Sequence, residues 1–337
     1  MRIALCARMR GVSLIQVLVG MATGISVVAA LGAFFIQGSR SGREDINVAS
    51  MLNELGFATG QLAVDLEMAG FWAQVHDPSA VAADGTLAIS GADCGASGWF
   101  SQLSALEMLD NNTGAGGARP LTVYPCLAAA DVVPGTDVIA VKRVLGRIAG
   151  TDTDTAQLHA GTIYLRTHER FGMLYLHGAG TPAPIETPWQ NWEYAPALYY
   201  VQPYTVSALE SPLVPALCRR TLRSTGGAAP AWVSDCVAQG IENLQIEIGV
   251  DNDEDGAANY FTPRPDASQL SQASNARLYV QVRSVRPDVD YVNEKTYQIG
   301  NAAAYTPAGA DRHYFRKTLS TEVSLRNPRG LQGVAVQ

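Results

Sequence analysis

One short acidic segment carries the residue types best suited to metal chemistry. Residues 251–256 read Asp-Asn-Asp-Glu-Asp-Gly, so three aspartates alternate with other residues ahead of a glycine. Ca²⁺ takes several oxygen ligands around a tight turn, and this spacing is typical of calcium loops. The candidate ligands are Asp251, Asp253, Asp255 and, through water at position nine, Asn259. Position twelve is Thr262 instead of a bidentate glutamate, so we expect weak affinity; the alternative is a solvated acidic turn between strands.

Motifs for catalysis are absent from the sequence. The five histidines form no His-Glu-x-x-His pair, and there is no Gly-x-Ser-x-Gly elbow, no Gly-Lys-Ser/Thr phosphate loop and no Gly-x-Gly-x-x-Gly after a strand. A net charge of −7 with only three lysines also offers no basic face for nucleic acid. We therefore predict a protein that is not an enzyme, requires no cofactor, has calcium as its one candidate ion, and makes no direct contact with nucleic acid.

The first structural element in the chain is an apolar segment near the amino end. Residues 17–36 contain no charged side chain. At 1.5 Å per helical residue this 20-residue segment spans about 30 Å, the thickness of the hydrocarbon core of a bilayer. Arg2, Arg8 and Arg10 precede it, so the amino end is expected in the cytoplasm and the remainder across the membrane.

The basic leader distinguishes this segment from a secretory signal peptide, whose apolar core lies before the cleavage site. Here the leader, residues 1–11, ends at a glycine and the apolar run follows, in the order Gly-Val-Ser-Leu-Ile over residues 11–15. This order resembles the type IV prepilin signature. The resemblance implies cleavage after Gly11, N-methylation of Val12 (where phenylalanine is usual), and a retained helix that later packs in the core of a filament.

Position 16 departs from that signature. The family has glutamate five residues after the cut, where it is thought to meet the free amine of a neighbouring subunit, and this chain has Gln16. A glutamine can hydrogen-bond in hydrocarbon but cannot neutralise the amine. We expect such a subunit to join a filament less readily beneath another subunit, or to occupy a special place such as the tip.

Two alternatives to the prepilin interpretation remain open: signal-peptidase cleavage leaving Ala33 first, and an uncleaved signal anchor.

A helical pattern resumes after the apolar segment. Its seven-residue repeat predicts an apolar stripe made of Val48, Leu52, Leu55, Leu62, Leu66 and Ala69, with Thr59 in the gap. Acidic residues, among them Asp65, lie off the stripe. We predict one helix over residues 12–74, transmembrane at 17–36, whose second half packs on the globular body.

Residues 75–337 are predicted to form that body, a β-rich domain. Short alternating runs separated by Gly, Pro, Asn and Asp are typical of half-buried antiparallel strands. The candidate strands are 121–124, 137–145, 162–167, 173–177, 192–204, 241–250, 277–285 and 313–325. In 241–250 alternate residues are apolar and Gln245 faces away from them. The predicted fold class is therefore α+β and pilin-like: a long N-terminal helix, transmembrane then amphipathic, and a mainly antiparallel β domain.

Four of the five cysteines lie in the segment predicted to be exported, where disulfides persist. They are Cys94, Cys126, Cys218 and Cys236; the fifth, Cys6, lies in the leader. Three pairings are possible, and we favour the pairing of sequence neighbours, 94 with 126 and 218 with 236. No Cys-x-x-Cys spacing supports the alternative of a zinc site.

Two further runs extend the resemblance. Residues 64–72 read Val-Asp-Leu-Glu-Met-Ala-Gly-Phe-Trp, and residues 314–327 form a final alternating strand that ends in Leu-Arg-Asn. Both are similar to the corresponding ends of the PilW group of minor pilins, so the resemblance covers the two ends of the chain better than its middle. An ordinary helix terminus stopped at Gly70 would explain the first run equally well.

The resemblance implies a structural function. It predicts a minor pilin in a tip or priming complex of a type IV pilus, held in the bacterial inner membrane by a single span before assembly and at the cell surface afterwards. The implied partners are other minor pilins, the major pilin, the prepilin peptidase and the assembly platform. The sequence does not choose among adhesion, motility and DNA uptake. The alternatives are a minor pseudopilin of a type II secretion system and a signal-anchored periplasmic binding module or enzyme.

Overall fold

The computed structural model describes residues 13–224, 226 and 229–327. The predicted leader and the first residue after it therefore lie outside the described residues. The described chain opens with one long helix, α1 (Leu14–Glu67), of 54 residues. By its internal contacts the chain divides into two units, one of residues 1–49 and one of residues 50–337, so α1 contributes to both.

Within the second unit, the last part of α1 packs through one apolar stripe. Its members are Met51, Leu55, Ala58, Leu62 and Leu66, each no more than 3% exposed. The stripe agrees with the predicted pattern from Leu55 onward. Before Leu55 the prediction was wrong at Leu52, which is 52% exposed, because a 3.6-residue period carried back from Leu55 falls on Met51 and turns Leu52 outward.

The body contains three sheets, which confirms the α+β class. The first sheet has the spatial order β1 (Val81–Ala83), β6 (Phe171–Leu176), β5 (Ile163–His168), β7 (Gln190–Tyr194) and β4 (Val144–Thr151). The second has the order β10 (Ala231–Gln239), β9 (Ala216–Arg223), β8 (Ala197–Gln202), β3 (Val138–Val141) and β2 (Leu106–Leu109). Among the described strand pairs of these two sheets only β1 and β6 are parallel.

The third sheet is antiparallel and has the order β12 (Tyr260–Thr262), β11 (Ile241–Val250), β13 (Ala273–Arg283) and β14 (Arg316–Ser324). A short helix, α2 (Ala267–Ser271), precedes β13 and begins with a capping box at Asp266. Alternation places Leu244, Ile246 and Ile248 of β11 in the core, each with no exposed surface. The period-two pattern of the sequence is therefore confirmed in β11.

Three strand predictions were wrong in detail. The predicted strand 137–145 is divided between β3 and β4, which belong to different sheets. Residues Leu121–Val123 form a 3₁₀ turn that follows Pro120, and the backbone N–H of Tyr124 closes it on Leu121. The predicted strand 192–204 is two strands, β7 and β8, which belong to different sheets. Pro196 has no backbone N–H to donate to a neighbouring strand, which explains why strand pairing stops between β7 and β8.

One apolar cluster joins the first and second sheets, and both disulfides reach it. Trp72, Leu165, Leu174, Leu198 and Tyr200 are among its buried members. Cys94 bonds to Cys126 and Cys218 bonds to Cys236, so the pairing of sequence neighbours is confirmed. The bonds close loops with sequence separations of 32 and 18 residues, and each is expected to contribute about 3 kcal/mol by restricting the unfolded chain.

Candidate functional sites: the apolar helix, its anchorage and the acidic loop

The first part of α1 is apolar and exposed. Leu14, Phe34 and Phe35 are 77%, 75% and 80% exposed, and the apolar stretch of α1 is long and apolar enough to cross a membrane. Its few hydroxyl groups are satisfied within the helix: Thr23 donates to the carbonyl of Val19 at 2.9 Å, and Ser26 donates to that of Ala22 at 2.9 Å. The outer surface therefore presents hydrocarbon without unpaired side-chain hydroxyls, as a lipid environment requires.

Gln16 has a second role that the sequence interpretation missed. The backbone N–H of Ser13 donates a hydrogen bond to Gln16 Oε1 at 3.1 Å. A helix leaves its first N–H groups without intrahelical partners, and a glutamine three residues after a serine reaches back to supply one, as in a capping box. The Ser-x-x-Gln spacing was the available signal. Gly11 and Val12, the predicted processing residues, lie outside the described residues.

A buried carboxylate fixes the last turns of α1 to the body. Asp65 is 3% exposed, and its Oδ1 accepts from Arg143 Nη2 at 2.6 Å and from Arg143 Nε at 3.2 Å. Its other oxygen accepts from the hydroxyl of Tyr199 in β8. Burial, and next the Asp65 carboxylate, raise the pKa of the Tyr199 hydroxyl well above its ordinary value, so that it remains a donor. The sequence indicated only that Asp65 lies off the apolar stripe.

The two runs that carried the PilW resemblance meet in space. Asn327, at the end of the second run, donates from Nδ2 to the carbonyl of Glu67 at 3.2 Å. Gly70 closes the helix with φ +70°, and a Cβ there would approach the Cβ of Ala105 to 2.9 Å. Its N–H donates to the carbonyl of Lys142 at 3.0 Å. The helix terminus, the final strand and the body are therefore joined at one place, where glycine is required by both space and backbone angle.

Beneath this junction a lysine is buried. Lys142 is 1% exposed, and its Nζ donates to the carbonyls of Trp99 and Gln102 at 2.9 and 3.0 Å. It also donates to Ser104 Oγ at 3.2 Å and to Glu107 Oε1 at 3.1 Å. Burial lowers the pKa of Lys142, and the Glu107 carboxylate opposes that effect. The lysine, which directly follows β3, links the end of that strand to residues 99–104 and to Glu107, which identifies it as a structural cross-link.

The acidic segment forms the loop between β11 and β12. One carboxylate oxygen from each of Asp251, Asp253 and Asp255 lies within 4.8 Å of the others. Asp251 is 2% exposed and its Oδ2 accepts from the N–H of Gly256 at 3.0 Å, whereas the other two carboxylates are exposed. Carboxylate oxygens are ligands that a hard divalent cation prefers, and three carboxylates converge on this turn. The amide oxygen of Asn259 instead accepts from the N–H of Asn252 at 2.7 Å and braces the loop.

These features define a class of protein: an α+β body attached to a helix that is suited to a membrane. A family described as Type IV Pilus-assembly protein W (PilW) matches residues 198–327, which run from β8 to the residue that contacts the end of α1. The match supports a type IV pilus-related protein, and α1 is consistent with it, so the resemblance is confirmed at that level; the matched residues include the run 314–327 but not the run 64–72. Neither a curated protein nor a solved structure matches the chain significantly.

Proposed function

We propose that this chain is a minor pilin, a non-catalytic subunit of a tip or priming complex of a type IV pilus, processed after Gly11. The observation that carries the proposal is the contrast within α1. Residues 14–36 expose their apolar side chains, whereas Met51, Leu55, Leu62 and Leu66 are buried in the body. An exposed apolar surface of this size requires a cover, which lipid supplies before assembly and helices of other subunits supply afterwards.

The proposed orientation follows from charge. The leader holds Arg2, Arg8 and Arg10 and the apolar stretch of α1 holds no charge, so the amino end lies in the cytoplasm and the body outside the inner membrane. The two disulfides support an oxidising compartment for the body. The proposed partners are the prepilin peptidase, the assembly platform, the major pilin and other minor pilins.

Gln16 supports the special place of this subunit. A glutamate at this position would carry a charge into hydrocarbon and would need a neighbouring amine as its partner. Gln16 is neutral and its Oε1 accepts from the N–H of Ser13 in its own chain. The subunit therefore has no charge-based demand for a neighbour above it, which suits a position at the tip of a filament.

The decisive experiment is mass spectrometry of the amino terminus of the protein isolated from membranes and from sheared pili. We expect a chain that begins at methylated Val12 in both fractions. A chain that begins at Ala33 would identify an exported soluble protein, and one that begins at Met1 a signal anchor; either result contradicts the proposal. A mature chain that co-purifies only with a secretin-linked secretion complex would favour a pseudopilin instead.

The acidic loop supports a second, smaller proposal, that Asp251, Asp253 and Asp255 hold a calcium ion. The convergence of their carboxylates within 4.8 Å favours it. The absence of glutamate at position 262 leaves the ion without a bidentate ligand from that position, so millimolar affinity is expected. Calorimetric titration with calcium tests the proposed binding. If no heat of binding is measured at millimolar calcium, the loop is a turn that holds no ion.

A further inference from the structure

One edge of the third sheet is long, regular and open. β14 has nine residues and pairs with β13 along its whole length without a shift in register. It is the last strand in the order of the sheet, and within the described residues its backbone forms hydrogen bonds only with β13. In an antiparallel edge strand alternate N–H and C=O groups point away from the sheet. β14 therefore presents a row of backbone donors and acceptors to its surroundings.

The other edges of the three described sheets are protected against pairing. β1, β2 and β12 contain only three or four residues each. β4 has two irregularities in its pairing with β7, and β10 has one in its pairing with β9. Short edge strands and β-bulges are devices that prevent one sheet edge from pairing with another. β14 has neither device, and its sequence contains no proline or glycine.

The side chains of β14 leave space for another strand. Four consecutive residues, 317–320, are exposed, so neither face of the sheet is covered at this part of the edge. Leu319 lies opposite Val280 of β13, which has no exposed surface, yet Leu319 itself is 39% exposed. The apolar face of the sheet therefore ends in a partly uncovered leucine. A neighbouring strand that brings an apolar side chain to this position would extend that face.

The order of side chains in β14 favours a second copy of the same strand as that neighbour. The strand begins with two basic residues and has its one acidic residue, Glu322, near the end, so antiparallel copies place the basic end of each beside the acidic end of the other. With Leu319 at the centre, Leu319 opposes its own counterpart, Thr318 opposes Ser320, and no like charges are directly opposed. Apolar and hydroxyl pairs stabilise antiparallel strands, whereas directly opposed like charges destabilise them.

We propose that β14 is an interaction surface through which two copies of the chain pair edge to edge, antiparallel, with Leu319 on the two-fold axis. The two four-stranded sheets then form one continuous sheet. The same surface is used by both copies, as in an isologous dimer. A single pair of strands is a small interface, so we expect a weak and reversible dimer. The pairing uses the body alone, so it can fail independently of cleavage after Gly11.

The first test is sedimentation equilibrium of the full chain in detergent at micromolar concentrations, where we expect a concentration-dependent dimer. Leu319→Lys places two like charges opposite each other and should raise the dissociation constant about tenfold. Its melting temperature should change little, because Leu319 is partly exposed at an edge. Ile148→Lys is the matched control, since Ile148 is 47% exposed and lies in the edge strand β4.

The control should dimerise like the wild-type chain. A wild-type chain that stays monomeric, a wild-type dissociation constant in Leu319→Lys, or an equal loss in Ile148→Lys would refute the proposed pairing.

Cysteine cross-linking locates the contact. In a Cys6→Ser background, Leu319→Cys should form a disulfide-linked dimer on mild oxidation, because directly opposed Cβ atoms of antiparallel strands lie about 4.5–5.5 Å apart. Ile148→Cys, the matched control, should form much less of it. The proposal is overturned if Leu319→Cys gives no more dimer than the control, or if in cells it cross-links to a different protein and not to a second copy.

Discussion

Replacement of Asp65 by asparagine should loosen the last turns of α1 from the body. The side chain is 3% exposed and accepts from Arg143 and Tyr199, and the Arg143 side chain is only 14% exposed. Asparagine keeps the shape but leaves the guanidinium without its counter-charge. Breaking a buried ion pair by removing one partner costs about 3–5 kcal/mol. Since asparagine still accepts one hydrogen bond, we expect about 3 kcal/mol of lost unfolding free energy.

Denaturant unfolding of the full chain in detergent measures this loss, with tryptophan fluorescence as the probe, since Trp72, Trp99 and Trp232 are buried in the folded body. Hydrogen exchange should show faster opening of residues 51–67, while β11 and β13 keep their protection. Glu54→Gln is the matched control, because Glu54 contacts Gln239 through partly exposed hydrogen bonds and should cost less than about 1 kcal/mol.

A double-mutant cycle separates the ion pair from general damage. Arg143→Met alone leaves Asp65 unpaired, and the double variant Asp65→Asn with Arg143→Met removes both charges. We expect the double variant to be less destabilised than the sum of the single changes, by about 1–3 kcal/mol. Strict additivity, or a loss below about 1 kcal/mol in Asp65→Asn, would show that the anchor does not depend on this carboxylate.

Three further predictions concern the body. Burial raises the pKa of Asp137 to about 7, so the folded state binds the proton of this carboxyl group more tightly than the unfolded chain does. The free energy of unfolding should therefore fall as pH rises from about 4 to 7. Asp137→Asn should flatten that part of the plot of unfolding free energy against pH. Asp253→Asn should weaken calcium binding measured by calorimetry, whereas Glu254→Gln, beside it in the loop, should change it little; equal effects would argue against specific coordination. Replacing Cys218 and Cys236 together by alanine should cost about 3 kcal/mol in denaturant unfolding, and the reductant sensitivity that remains should come from the other disulfide.

Features encoded in neighbouring residues were predictable from the sequence. The apolar segment of α1 follows from an uncharged run, and the burial of Leu55, Leu62 and Leu66 follows from helical period. Alternation predicted the core face of β11. The disulfide pairing required only an exported segment and the expectation that neighbouring cysteines join. In each case the feature depends on the types and spacing of residues that lie near one another in the sequence.

Pattern alone could not separate some local alternatives. Residues Leu121–Val123 have the composition of a strand but form a 3₁₀ turn, and the run 192–204 divides between two sheets. Within the predicted α1 stripe, which begins at Val48, Met51 is buried in place of Leu52. Both residues are apolar, and the 3.6-residue period of the helix, carried back from Leu55, selects Met51 where a strict seven-residue repeat selects Leu52.

The sequence by itself determined that an uncharged helix must find an apolar cover and that three aspartates share one loop. Only the tertiary structure decided which polar residues are buried and with what partners. Asp65 lies 78 residues from Arg143 and 134 from Tyr199, and Asp110 lies 191 residues from Asn301. Periodicity reports which face of an element is apolar, but it contains no information about what packs on the other face. The anchor of α1 depends on such distant contacts, because a buried charge is stable only where folding brings its partners to it.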